Sequence, residues 1–209
     1  MMQELQNYPE DLTGLFLALR GLGTLCGSTL LVFLNKKLDP RVILTFGFLL
    51  QGIAGFYMSH FDINLSAFEL AWTNSLAGLG VGFVWVPLTL ITFNTLDKKY
   101  LNEASAFWHL IRNIGSSISI SITVALVIRS TAINYADLSS FISIFGDSTS
   151  IMPLKGTTTP DDMKSLSGLS REIGRQSEMI GYINAFHLYY WIAFSIIPLV
   201  WLAPLKSEK

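Results

Sequence analysis

The sequence predicts an all-α membrane protein: five transmembrane helices and one external amphipathic helix. Its 209 residues are 51% hydrophobic and only 14% charged, and the mean hydropathy is +0.47, as expected of a chain whose solvent is mostly lipid. Apolar stretches fall at about 12–34, 42–59, 68–93, 104–128 and 182–203, close to or above the roughly 20 residues that cross a hydrocarbon core as helix. Two of these stretches carry an arginine well inside, Arg20 and Arg112, and Glu69, at the start of the third, is the one acid that any of them holds.

The first stretch follows Met-Met-Gln-Glu, without a basic region ahead of it, so it reads as a true span and not as a cleavable signal. Gly23 and Gly27 are spaced as a small-xxx-small pair, the pattern that lets membrane helices approach closely. The single Cys26 has no intrachain partner and reads as a small packing residue. On the third stretch Gly78 and Gly82 repeat the pattern with Gly80 between them, and Pro87 removes a backbone hydrogen bond and predicts a kink. Ser117, Ser121 and Ala125 extend the small-residue pattern onto the fourth. Tyr57, Trp72, Tyr189, Tyr190 and Trp201 fall near span ends, as an aromatic belt requires.

Short loops set the orientation. Lys36, Lys37 and Arg41 follow the first span, Lys98 and Lys99 follow the third, and Lys206 and Lys209 follow the fifth, whereas residues 60–67 hold no Lys or Arg. The positive-inside rule therefore puts the basic loops and the C-terminus in the cytoplasm and the N-terminus outside. Lys155, Lys164, Arg171 and Arg175 lie in a connection of over fifty residues, where that rule weakens.

Residues 129–181 form this external connection. Ser130 to Thr158 is rich in Ser and Thr and reads as loop. Thr159-Pro160-Asp161-Asp162 supplies an N-cap hydroxyl, a first-turn proline and acids at the positive end of a helix dipole. Met163, Leu166, Leu169 or Ser170, and Ile173 then recur at helical spacing, predicting an amphipathic helix resting on the outer membrane face.

The densest polar group is on the fourth span, where Trp108, His109, Arg112, Asn113 and Ser116 share about one helical face. An arginine near mid-membrane costs about 2.5 to 3.5 kcal/mol, so such residues face a bundle interior or a watery cavity. Both arginines lie roughly 12 Å deep from opposite faces, which leaves two readings: a shared polar chamber, or arginines that each cap carbonyls or snorkel to the interface. His109 and His187 are either proton-handling groups or interhelical hydrogen-bond partners. Trp85 and Trp108 either stack on a flat or cationic substrate or pack between helices.

Several runs resemble, in order, the EmrB/QacA-type drug:proton antiporters, the fourteen-helix branch of the major facilitator superfamily. These are Arg20-Gly-Leu-Gly, Lys37-Leu-Asp-Pro-Arg41, Gly78-Leu-Gly-Val-Gly-Phe, Pro87-Leu-Thr, Leu96-Asp-Lys-Lys, Asn102-Glu-Ala-Ser105 and Arg112-Asn-Ile-Gly115-Ser-Ser. The resemblance covers nearly the whole chain but only the last five helices of that family, most of its C-terminal half. It implies a transporter of the inner (plasma) membrane that exports amphiphilic compounds against inward proton flow. Candidate cavity residues are then Arg20, Arg112, His109, Asn113, Trp108 and Trp85, and candidate gating-loop residues are Asp39 and Arg41. Val32 and Lys36 stand where the family's gating motif has a glycine and an acid. The family's proton-coupling acids lie in the half that is not represented here, so the missing half is an expected partner beside membrane lipid.

A net charge of -1 gives no footprint for nucleic acid. No phosphate loop, metal-spaced Cys/His set or nucleophile–base–acid group is present, so neither an enzyme, a metal nor a cofactor is expected. The leading expectation is a split subunit or fragment of a multidrug exporter. The alternatives are a non-transporting membrane protein that modulates a full-length transporter, or a remnant without activity.

Overall fold

The computed structural model describes residues 5, 8–34, 39–63, 65–93, 96–141 and 163–202, and five helices long and apolar enough to cross a membrane lie among them. They are α1 (Glu10–Leu34), α2 (Pro40–Met58), α3 (Ala67–Phe93), α4 (Leu101–Phe141) and α5 (Met163–Leu202). A 3-10 turn, Lys98–Tyr100, leads into α4. No strand occurs among the described residues.

Local chemistry sets the starts. Asp39 takes an extended conformation ahead of Pro40, and its carbonyl accepts from the Val42 and Ile43 amides at 3.0 and 3.3 Å. Proline suits this first position because its missing N–H would have no intrahelical partner. Ser66 and Glu69 form a capping box on α3: the Glu69 carboxylate accepts from the Ser66 amide at 3.0 Å, and the Glu69 amide donates to the Ser66 hydroxyl at 3.2 Å. The acid in the third stretch is thus a helix cap. Within the spans, hydroxyls donate back to the preceding turn, as Thr24 does to the Arg20 carbonyl (3.0 Å) and Thr45 to the Arg41 carbonyl (2.9 Å). That satisfies polar groups in a medium that offers no water.

The helices pack in the order α1, α3, α2, α5, α4. Glycines set the first crossings. A Cβ on Gly78 would strike the Arg20 carbonyl, one on Gly23 the Ser75 carbonyl, and one on Gly27 would lie 2.7 Å from the Leu79 carbonyl; at Gly82 the Thr24 carbonyl would be 2.6 Å away. Backbone therefore rests on backbone where α1 meets α3, the close approach that replaces a hydrophobic drive inside lipid. Pro87 lies within α3, buried. At the end where α2 hands over to α3, Leu5, Phe16, Met58, Phe61, Leu70 and Met179 form an apolar cluster.

Two expectations for residues 129–181 are corrected. The stretch from Ser130 read as loop is helical to Phe141, so α4 is 41 residues long. Packing against α5 overrides the weak helical preference of its Ser, Thr and Asn residues: the Asn184 amide donates to the Ser130 hydroxyl at 2.6 Å and the Tyr135 and Ser170 hydroxyls are 3.0 Å apart, while within α4 Asn134 donates to the Ser130 carbonyl at 2.7 Å. A Cβ at Gly181 would lie 2.5 Å from the Thr131 hydroxyl, so a glycine there lets the two helices meet.

The amphipathic segment is helical, but it is not a separate helix: it is the first part of α5, which runs 40 residues without a break. Ile173, Ser177 and Met179 are buried against the chain itself. Arg175 donates to the Leu5 carbonyl at 2.8 Å and lies 3.8 Å from Glu172. The predicted start at Thr159–Asp162 lies outside the described residues, as do Lys36 and Lys37 of the gating loop.

Candidate functional site: a cavity beside Arg20

Three helices bring polar groups together against glycines of a fourth. Arg20 on α1 stands where its own carbonyl packs on Gly78 of α3. Gln51 on α2 lies over Gly80, a Cβ there being only 2.7 Å from the Gln51 Cγ. The Tyr189 hydroxyl of α5 donates to Gln51 Oε1 at 3.2 Å. Two glycines on α3 therefore admit the Arg20 backbone and the Gln51 side chain at close range.

This node opens into a cavity of about 1260 Å³ between α1 and the α4–α5 pair. Arg20, Met58, Ala77 and Tyr189 line it from the bundle side, Ser119 to Tyr135 from α4, and Glu178 to Ile192 from α5. The wall is mainly aliphatic and aromatic, and among its described residues Arg20 and Glu178 are the charged ones. Such a lining suits an amphiphile: apolar walls hold the body and a few polar groups fix orientation.

The predicted cavity residues divide. Arg20 lines the cavity; Arg112, His109, Asn113, Trp108 and Trp85 do not. The Arg112 guanidinium carbon lies 4.1 Å from the centroid of the Trp85 ring, and Trp108 meets Phe93 edge-on with centroids 6.2 Å apart. Gly78 and Trp85 are 7 residues apart on α3, so the two arginines sit about 10 Å apart along that helix. Arg112 is not among the residues that line the cavity holding Arg20.

Sequence spacing nevertheless links them. Arg112, Ser116, Ser119 and Thr123 follow at intervals of four, three and four on α4, a single stripe. Its last two members line the cavity, while Arg112, Asn113 and Ser116 are exposed beyond it. His109 is also exposed. His187 faces Tyr190, its Nδ1 3.3 Å from the hydroxyl. Asp39 begins α2 with its carbonyl, and Arg41 is partnered within the fold.

Sequence reasoning missed Glu178. With the fifth span begun at Tyr182, this acid fell into an external segment; in the structure the helix is continuous and Glu178 lines the same cavity as Arg20. The available signal was helical spacing, because Glu178, Tyr182, Ala185 and Tyr189 recur at four, three and four.

Comparison with known proteins agrees with this architecture. The family model "Major Facilitator Superfamily" matches residues 1–145. The multidrug export protein EmrB of Escherichia coli K12 is 25% identical over 206 residues, covering 97% of this chain and 40% of that protein. The probable multidrug resistance protein EmrY of the same strain is 28% identical over 214 residues with the same two coverages. The fatty acid resistance protein FarB of Neisseria gonorrhoeae is 22% identical over 207 residues. The chain thus spans 40% of the length of these relatives. With five helices long and apolar enough to cross a membrane among the described residues and a family match over most of its length, this chain belongs to the major facilitator superfamily of membrane transporters.

Proposed function

We propose that the chain supplies the C-terminal five helices of a proton-driven multidrug exporter in the inner membrane, with the basic loops and C-terminus in the cytoplasm. The observation that carries this reading is the apolar cavity with Arg20 at its inner wall, on a chain similar to multidrug export proteins. In this reading Arg20 offers hydrogen bonds and charge to the polar end of an amphiphilic substrate. Gln51 and Tyr189 hold the α2–α5 contact beside it.

The exposed stripe of α4 supports a partner. Arg112, Asn113 and Ser116 are polar groups at a depth where facing lipid is costly, and residues 109–125 of α4 are exposed. We assign that face to the remaining helices of a transporter, which would close a chamber with Arg112 and His109 in its wall and supply the proton-coupling acids. Asp39 and Arg41 then belong to its cytoplasmic gate. The same exposed stripe also fits a second reading, in which the chain docks on a full-length relative and modulates it.

Ethidium export from cells lacking their own multidrug exporters tests the proposal. The chain alone should give no export, and co-expression with a nine-helix N-terminal half of a relative should restore it. No export from the pair, with both parts present in the membrane, would overturn the split-transporter reading. Reduced export by a full-length relative when this chain is added would favour modulation.

A further inference from the structure

A second pocket, of about 460 Å³, lies along the α4–α5 seam and shares no lining residue with the cavity beside Arg20. Arg129, Ser130 and Asn134 of α4 and Asn184 of α5 form its polar part, with Ala125 and Leu126 beside them. Arg129 directly follows Ile128, where the fourth apolar stretch ends, and Asn184 comes two residues after Tyr182, where the fifth begins. The polar part therefore sits at the boundary between hydrocarbon and headgroups, and Ala125 and Leu126 lie about one turn deeper.

Three bonds fix what the pocket offers a ligand. The Asn134 Nδ2 group donates to the Ser130 carbonyl at 2.7 Å and to the Ser130 hydroxyl at 3.2 Å, and the Asn184 Nδ2 group donates to the same hydroxyl at 2.6 Å. Both amides spend donors on Ser130 and keep their Oδ1 atoms as acceptors. The Ser130 oxygen accepts twice, which leaves its own hydrogen to give. Arg129 is exposed and makes no ion pair among the described residues. A guanidinium and a hydroxyl donor thus stand together with two amide acceptors.

We propose that this pocket binds a phospholipid with an ethanolamine headgroup: Arg129 and Ser130 hold the phosphodiester, and the Asn134 and Asn184 oxygens accept from the ammonium. A guanidinium matches phosphate oxygens two at a time. Acceptors beside it favour a headgroup with N–H donors over one whose nitrogen is fully methylated. The acyl chains run past Ala125 and Leu126 toward Ile122, an exposed aliphatic on the same stripe of α4. Free phosphate would satisfy the guanidinium but would set its oxygens against two amide acceptors and leave the apolar wall uncovered. The site uses none of the residues around Arg20, so it is independent of how substrate is handled.

Native mass spectrometry of the intact chain in detergent, with dioleoyl phosphatidylethanolamine, dioleoyl phosphatidylcholine or dioleoylglycerol added, tests the site. The ethanolamine lipid should bind about fivefold more tightly than the choline lipid, and the choline lipid about tenfold more tightly than dioleoylglycerol, which has no phosphate. Arg129→Gln should weaken both phospholipids about tenfold and leave dioleoylglycerol within about twofold. Asn184→Leu should bring the ethanolamine lipid down to the choline level and leave the choline lipid within about twofold. Phospholipid binding unchanged in Arg129→Gln would overturn the site, as would an equal loss of all three lipids, which makes Arg129 structural. Equal wild-type binding of the ethanolamine and choline lipids would overturn the headgroup assignment. Displacement of the ethanolamine lipid by millimolar inorganic phosphate would give Arg129 to the free anion and overturn lipid binding.

Discussion

The Arg112 guanidinium lies over the face of Trp85, 4.1 Å from its centroid, and ties the exposed half of α4 to α3. Elsewhere α4 packs along α5, so this contact steadies a segment with few other neighbours. A cation over an indole contributes about 0.5 to 2 kcal/mol depending on desolvation. Trp85→Leu should speed amide exchange through residues 101–118 several-fold while leaving α1 and α2 unchanged, measured by hydrogen exchange in nanodiscs. Unchanged exchange in α4 would show the stacking to be incidental.

The α1–α3 crossing depends on glycine at position 78, where a Cβ would strike the Arg20 carbonyl. Gly78→Ala forces two backbones apart and should destabilise the fold by about 1 to 3 kcal/mol. Gly14→Ala provides the control, since nothing lies within 4 Å of its Cβ position. That change should be neutral or stabilise by up to about 1 kcal/mol. Thermal unfolding in detergent, followed by size-exclusion chromatography, checks both; equal behaviour of the two variants would contradict the packing described.

Tyr189 and Gln51 form the interhelical hydrogen bond next to Arg20. Such bonds in membrane proteins contribute about 0.6 kcal/mol on average and up to about 1.7. Tyr189→Phe and Gln51→Leu should each lose about that much stability. The double variant should lose less than the sum, because the first change already removes the bond. Strict additivity in a denaturation cycle would mean that the bond contributes nothing to the folded chain.

Proline separates a helical from a looped reading of residues 129–141. At Ala132, inside α4, it removes a backbone bond and clashes with the preceding turn, costing about 3 kcal/mol. Ala132→Pro should therefore sharply lower the unfolding temperature. A wild-type unfolding temperature would return this segment to loop.

The spans were legible because lipid demands long apolar runs with internally satisfied backbone, and composition alone records that demand. Gly23, Gly27, Gly78 and Gly82 were legible as packing residues for a related reason, since close helix approach excludes side chains. Residues 130–141 were not: their Ser, Thr and Asn content favours loop locally, and the bonds from Asn184 and Ser170 that hold them in helix come from 54 and 35 residues away. Span five began too late for the same reason. Residues 172–181 are polar enough to read as surface, but Arg175 reaches the Leu5 carbonyl and Met179 joins the cluster around Met58. That misplaced boundary hid Glu178 and made the arginines look like the cavity's whole charge. The pairing of Arg112 with Trp85 rather than with Arg20 depends on the azimuth of α4 around the bundle, which helical spacing does not encode.

The central claim is that the cavity beside Arg20 is where a substrate passes. Export by the chain co-expressed with an N-terminal nine-helix half tests it most directly, comparing wild type with Arg20→Gln at matched membrane levels. The account predicts that Arg20→Gln lowers the ethidium export rate about tenfold or more, a loss equivalent to about 1.4 kcal/mol or more. Export at the wild-type rate, with the variant folded and present in equal amount, would contradict it.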